Sequence, residues 1–231
     1  MCMTIRTYLL CLALFITCIL GCSKTKPGWK TIDMGEYLID VPNNFNLKTE
    51  KSIDSQPGIL KGRDFDLYYD YGPYCDTLVM TQQEYLRKGF WKDEAIMHFL
   101  NFRLRNSVDW VKTQVTAFRP CTKSDSAYAG GCDLIASCIY KADQFDLPVY
   151  IPQDIKNHVV KIDTIQGYYH RVIYPKRGSS GRTGVYMRKA KVDHSPGMLY
   201  NSIVIETRSL KNQQQALATE IVATLRPKPK D

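Results

Sequence analysis

The sequence predicts an α+β fold in which a mainly antiparallel β-sheet is flanked by helices, including an amphipathic helix near the C-terminus. Segments with alternating apolar residues fill most of the chain, and segments with helical periodicity occur in the middle and at the end. The chain has 231 residues, of which 44% are hydrophobic and 23% are charged. This composition is typical of a globular protein and excludes disordered, collagen-like and multispan membrane classes.

An apolar leader precedes the fold. Residues 1–22 read MCMTIRTYLLCLALFITCILGC, and the apolar run is shorter than the ~20 residues of a membrane-spanning helix, which predicts a signal peptide. The run ends in Leu20-Gly21-Cys22 and resembles the lipobox of bacterial lipoproteins. The resemblance implies a signal peptide over residues 1–21, a lipid on Cys22 and a tether over residues 22–28. Ser23 resembles the case of sorting to the outer membrane, facing the periplasm; an uncleaved anchor or an ordinary signal peptide is the alternative.

The clearest strand covers residues 64–71, where apolar residues alternate with aspartates, as expected of a half-buried antiparallel strand. Its apolar face consists of Phe65, Leu67, Tyr69 and Tyr71. Further strands are predicted at residues 29–33, 36–41, 111–118, 132–140, 144–151, 168–174, 185–191 and 202–207. No repeat and no change in composition divides residues 29–226, so we expect one domain, followed by a polar tail over residues 227–231.

Three helices are predicted. Thr81 and Glu84 have the spacing of a capping box, and Gly89 can end the helix that begins there. A second helix is predicted over residues 93–105, and a third before Pro227. The apolar stripe of the third helix consists of Leu217, Ala218, Ile221, Val222 and Leu225.

The two ends of the mature chain resemble PsbP-like α/β/α sandwich domains. Residues 37–45 read YLIDVPNNF and resemble the early strand-to-proline turn of that family, and the closing strand and helix through Thr224-Leu225 resemble the way those domains end. The resemblance implies a mostly non-catalytic domain that binds partners, although a fold does not by itself imply a function.

The body of the chain keeps four cysteines: Cys75, Cys121, Cys132 and Cys138. Cys121 and Cys132 flank a loop-like segment, so we expect a disulfide there in an oxidising periplasm, with Cys75 and Cys138 left as a second pair. Four buried free thiols are the alternative. No CxxC pair occurs, and no histidine has ligand spacing to another histidine or cysteine, so no metal or other cofactor is expected.

The positive charge is concentrated in one segment. The chain carries a net charge of +8, and residues 170–191 hold seven basic residues and no acidic one. We expect a hairpin there whose basic side chains contact an anionic partner: an acidic glycan, a lipid headgroup or an acidic protein surface. The candidate contacts are Arg171, Lys176, Arg177, Arg182, Arg188 and Lys189. A solvated hairpin tip is the alternative, and nucleic acid is a poor partner for an envelope lipoprotein.

No catalytic motif is evident. Ser55 could serve as a nucleophile with His170 or His194 as its base, but no nucleophile elbow surrounds it, and turn chemistry explains its surroundings. We therefore expect a lipid-anchored envelope protein with a non-catalytic binding or assembly role. A hydrolase acting on glycan or peptide is the alternative.

Overall fold

A computed structural model of the protein describes residues 25–50, 52–100, 106–125, 131–190 and 201–229. The leader, the lipobox and Cys22 lie outside these residues. The predicted fold class is confirmed: the described residues form an α+β fold with mostly antiparallel sheets and a C-terminal helix. Among them, no helix is long and apolar enough to cross a membrane.

The strands belong to three antiparallel sheets. In chain order they are β1 (Trp29–Asp33), β2 (Tyr37–Pro42), β3 (Asn46–Thr49), β4 (Gly58–Lys61), β5 (Asp66–Gly72), β6 (Gln114–Pro120), β7 (Leu134–Tyr140), β8 (Asp143–Val149), β9 (His158–Ile165), β10 (Tyr168–Pro175), β11 (Arg182–Lys189), β12 (Ser202–Arg208) and β13 (Arg226–Pro227). The largest sheet has the order β3-β4-β5-β12-β11-β10-β9, and the smaller sheets have the orders β1-β2-β13 and β6-β7-β8. The helices are α1 (Gln82–Lys88), α2 (Trp91–Phe99), α3 (Gln153–Asn157) and α4 (Asn212–Val222).

The main core lies between one face of the seven-stranded sheet, the β1-β2-β13 sheet and α4. Alternate residues of β2 point into it, so Tyr37, Ile39 and Val41 are fully buried. They pack with Ile205 of β12 and Ile221 of α4 in one cluster. The apolar faces of the strands and of α4 therefore pack against each other across this core, and the burial of their apolar surface stabilises the fold.

A second core lies under the β6-β7-β8 sheet, where α2 packs on β8. Ala136 of β7 and Leu147 of β8 are fully buried there, beside Trp91 and Ile96 of α2. A third, smaller cluster covers the other face of the seven-stranded sheet, with Ile173 of β10 at its centre. The described residues thus form one large core and smaller ones beside it.

The local signals for α1 and β5 are accurate. Thr81 Oγ1 accepts a hydrogen bond from Glu84 N, Glu84 Oε2 accepts one from Thr81 N, and Gly89 ends α1 with a φ of +70°. In β5, Leu67 and Tyr69 are buried as predicted, whereas Tyr68 on the opposite face is exposed. The predicted second helix begins earlier, at Trp91, and also ends earlier, at Phe99, because Leu100 is extended; residues 101–105 lie outside the described residues.

Among the described residues, five elements were missed: β3, β4, β9, β13 and α3. All but β9 have five residues or fewer, which is too short for periodicity to register. The edge strand β9 alternates little in burial, because several of its residues are exposed. Residues 227 and 228, placed in the tail by the sequence, continue the fold: Pro227 pairs with Tyr37 and Lys228 N donates to Glu36 O.

Candidate functional site

The predicted basic hairpin is formed by β10 and β11, which pair from Tyr168–Lys189 to Ile173–Gly184. We call residues 176–181, which connect the two strands, the tip. The tip is held at both ends by backbone hydrogen bonds: Lys176 N donates to Asn157 O at 2.7 Å, and Ser209 N donates to Gly181 O at 3.3 Å. These two hydrogen bonds therefore fix the ends of the tip against neighbouring segments of the protein.

The side chain of His158 anchors the end of the tip next to β11. Its buried ring accepts a hydrogen bond from Arg182 N at Nε2 (3.0 Å), so the ring hydrogen lies on Nδ1 and is donated to Asp154 O (2.6 Å). Gly181 passes directly over this ring, and a Cβ at that position would lie 2.4 Å from Nε2. Only glycine allows the chain to approach the ring so closely.

Arg171 is not available to an external partner, which corrects the prediction for this residue. Its side chain is 6% exposed and forms an ion pair with Glu84. It also donates to Tyr169 Oη and to the carbonyl oxygens of Thr77 (3.1 Å) and Val79 (3.4 Å). A buried guanidinium persists only where such partners satisfy its donors, and here those partners attach the segment before α1 to the seven-stranded sheet.

Arg182 is also occupied within the protein. Its guanidinium contacts Asp76 at 2.8 Å and Glu206 at 3.3 Å. The hydrogen bond to Asp76 is the main reason that the pKa of Arg182 is raised above its ordinary value. The acidic residues that pair with Arg171 and Arg182 thus come from other parts of the chain, and no local sequence pattern indicates these pairs.

Arg188 and Lys189 lie at the opposite end of the hairpin from the tip. Arg188 stacks over the Tyr169 ring at 5.6 Å from its centroid, and Lys189, as the next residue in β11, points to the other face of the sheet. Lys189 pairs with Tyr168, eight residues before Lys176, a distance of roughly 25 Å along a strand. The six predicted contacts therefore do not form one site.

Lys176 and Arg177 are the two predicted contacts that remain at the tip with exposed side chains. Neither forms an ion pair with any described residue. With Ser179 they line one side of an open cleft of about 470 Å³, whose other side is the first turn of α4 at Asn212 and Gln215. Gln214 Oε1 accepts a hydrogen bond from Lys211 N (3.0 Å) at the start of that turn, and two cations and this helix N-terminus border the same space.

The cysteines follow the prediction in part. Cys121 and Cys132 form a disulfide, with their Cα atoms 5.6 Å apart. The second predicted pair is wrong: Cys75 and Cys138 are buried free thiols. Cys138 belongs to the second core and Cys75 to the third, so separate clusters hold the two residues, and burial raises the pKa of both thiols.

The structure separates the residues of the suggested nucleophile. Ser55 packs against Gly72 of β5, whereas His170 lies on β10, with β12 and β11 between them. Three strand spacings amount to about 14 Å, and His170 also points to the main core, away from Ser55. His194 lies outside the described residues, among which no group of three or more acidic, histidine or cysteine side chains could hold a metal ion.

No family model matches the chain, and no curated protein is significantly similar to it.

Proposed function

We propose that the protein is a lipid-anchored envelope protein with a non-catalytic binding role, and that it contacts an anionic group through Lys176 and Arg177 at the hairpin tip. The observation that carries this proposal is the division of the hairpin's charges. Arg171 and Arg182 are neutralised inside the protein, whereas the two tip cations lack an acidic partner among the described residues.

The surroundings of these two cations support an anion as the ligand. Arg177 can donate two parallel hydrogen bonds to a carboxylate or phosphate, and Lys176 adds a second positive charge beside it. The first turn of α4 faces the same cleft, and the positive end of its helix dipole favours negative charge there. Since Asn157 and Gly181 fix the ends of the tip, little ordering of the loop would oppose binding.

Binding of two polyanions by the mature chain tests the tip. We would use polygalacturonate, as an acidic glycan, and vesicles containing phosphatidylglycerol, as an anionic lipid surface. In the variant Lys176→Ser/Arg177→Ser, we expect the affinity for the bound probe to fall about tenfold, because charge-assisted hydrogen bonds are lost. If neither probe binds, photocrosslinking from position 180 in an envelope extract tests the third source, an acidic protein surface.

Arg188→Ser/Lys189→Ser is the matched control, since it removes the same charge at the far end of the hairpin. It should retain binding. Equal loss in the two double variants would contradict the tip as the binding site, and so would unchanged binding or crosslinking in Lys176→Ser/Arg177→Ser.

The anchor is tested separately. Two or more acyl chains would hold the protein stably on a membrane, because each buried methylene contributes about 0.8 kcal/mol. Cys22→Ala should abolish incorporation of labelled palmitate and release the protein from membranes. Label that persists in this variant would contradict the lipoprotein interpretation without affecting the proposal for the tip.

A further inference from the structure

An aromatic cleft lies between α2 and β8, on the side of the molecule built around the second core. Its rings come from Tyr85, Trp91, Phe99 and Tyr150, and its polar side chains from Glu94 and His98. We call this the aromatic cleft. Its volume is about 280 Å³, just below the range of roughly 300–1,000 Å³ for small-molecule sites. None of these residues belongs to the hairpin tip, so the cleft is a separate site.

The sequence places these groups together through helix geometry. Trp91, Glu94 and His98 follow one another at spacings of three and four residues, so they lie along one face of α2. Tyr150 follows directly after β8, on which α2 packs. The helix thus provides the carboxylate and one wall, and the end of the strand provides the opposite wall.

The rings are fixed before any ligand arrives. Trp91 Nε1 donates to Leu86 O at 3.3 Å, and Tyr85 Oη donates to Tyr150 O at 3.2 Å. The rings of Phe99 and Tyr150 stack with their centroids 5.9 Å apart. Side chains held in this way lose little conformational freedom when a ligand binds.

The charge in the aromatic cleft is negative. Glu94 is the formally charged residue among its described lining residues at neutral pH. The neighbouring cation Lys92 points away, because its Nζ donates to Thr113 O at 2.9 Å. Burial is the main reason that the pKa of Tyr85 is raised, and the negative charges of Glu94 and Asp133 add to it at this ring.

We propose that the aromatic cleft binds an alkylated ammonium group. Aromatic faces attract a cation over a distance of roughly 6 Å, and a sphere with the volume of the cleft has a radius of only about 4 Å. A single cation at the centre can therefore contact several rings and the Glu94 carboxylate together. A neutral sugar fits less well, because it uses the Glu94 carboxylate only as a hydrogen-bond acceptor, whereas a cation also gains from its negative charge.

Choline is the probe for this proposal, and its binding is monitored through the Trp91 indole signal in NMR spectra of the full chain. The lipid-anchored chain is kept in solution with a polyoxyethylene ether detergent, because this detergent carries neither sugar nor ammonium groups that could compete for the cleft. We expect saturable shifts with choline and at least about fivefold weaker binding of 3,3-dimethylbutan-1-ol, its uncharged isostere. Phosphocholine identifies the source: equal affinity indicates a lipid headgroup, and weaker affinity indicates a free ammonium compound.

Two variants and two controls complete the test. Glu94→Gln and Tyr150→Ala should each weaken choline binding about fivefold, since they remove the carboxylate and the most accessible ring. Asp93→Asn, one residue away on α2, and Tyr74→Ala, an exposed tyrosine elsewhere, should leave it unchanged. Equal binding of choline and its isostere, stronger binding of N-acetylglucosamine, or no shift of the indole signal would each overturn the proposal.

Discussion

Arg171 and Arg177 lie six residues apart in the same hairpin, yet the fold uses them in opposite ways. Arg171, in the strand, is buried and bonded to Glu84, Tyr169 and two backbone carbonyls. Arg177, at the tip, is exposed and faces a cleft. Removing a guanidinium from water costs more free energy than any single contact contributes, so a buried arginine needs several partners within the protein. An exposed arginine stays hydrated and is free to bind a ligand. A cluster of positive charge in the sequence is therefore not one functional surface.

Substitution of Arg171 should lower the stability of the protein more than any other change proposed here, and far more than substitution of Arg177. Arg171→Ala removes the Arg171 donors from Glu84 Oε1 and two carbonyl oxygens, and we expect the free energy of unfolding to fall by about 3 kcal/mol in urea titrations. Arg177→Ala should change it by less than about 0.5 kcal/mol. Where Arg171→Ala does not fold, Arg171→Lys should show a smaller loss in the same direction. Similar losses at positions 171 and 177 would refute the distinction between strand and tip.

Loosening the tip should have a smaller effect. In Gly181→Ala the new methyl group would lie 2.4 Å from His158 Nε2, and the ring cannot move without losing its hydrogen bonds. We expect a loss of about 1–3 kcal/mol and faster amide hydrogen exchange at Arg182. Ser180→Ala, at the neighbouring exposed position, is the control and should change neither quantity. Unchanged exchange at Arg182 in Gly181→Ala would show that the ring does not anchor the tip.

The smallest effect concerns His170, which precedes Arg171 and points into the main core. Burial lowers its pKa below the ordinary 6.5, although the charge of Asp163 opposes this, and its Nε2 has no partner among the described residues. Below pH 6.5 the unfolded chain therefore binds a proton that the folded protein does not, so stability is present above that pH and is lost as the pH falls. Between pH 6.5 and 5.5 this loss is at most about 1.4 kcal/mol.

His170→Asn should reduce the pH dependence of the free energy of unfolding by this amount, measured by urea titration at both pH values. Ser180→Ala, at an exposed position without a titratable side chain, is the control and should leave the slope unchanged. An identical slope in His170→Asn and the unsubstituted protein would show that His170 does not titrate differently on unfolding.

Local patterns account for the parts of the fold that were predicted correctly. The capping box at Thr81, the alternation through Tyr69 and the stripe through Ile221 each depend on residues within a few positions of one another. The aromatic cleft is partly local too, since Trp91, Glu94 and His98 share a helix face. Its other wall, at Tyr150, depends on the packing of α2 against β8, and no local pattern indicates that contact.

The sequence by itself determined the fold class, most of the strands and helices and the location of the charge, and it indicated the Cys121–Cys132 disulfide. Only the tertiary structure decided which charges are neutralised. Glu84 and Asp76 lie 87 and 106 residues from the arginines that they bind. Such pairs form because the order of strands in the sheet brings distant segments together, and desolvation then requires each buried charge to find a partner. Lys176 and Arg177 remain exposed because the turn that connects β10 and β11 carries them beyond the edge of that packing.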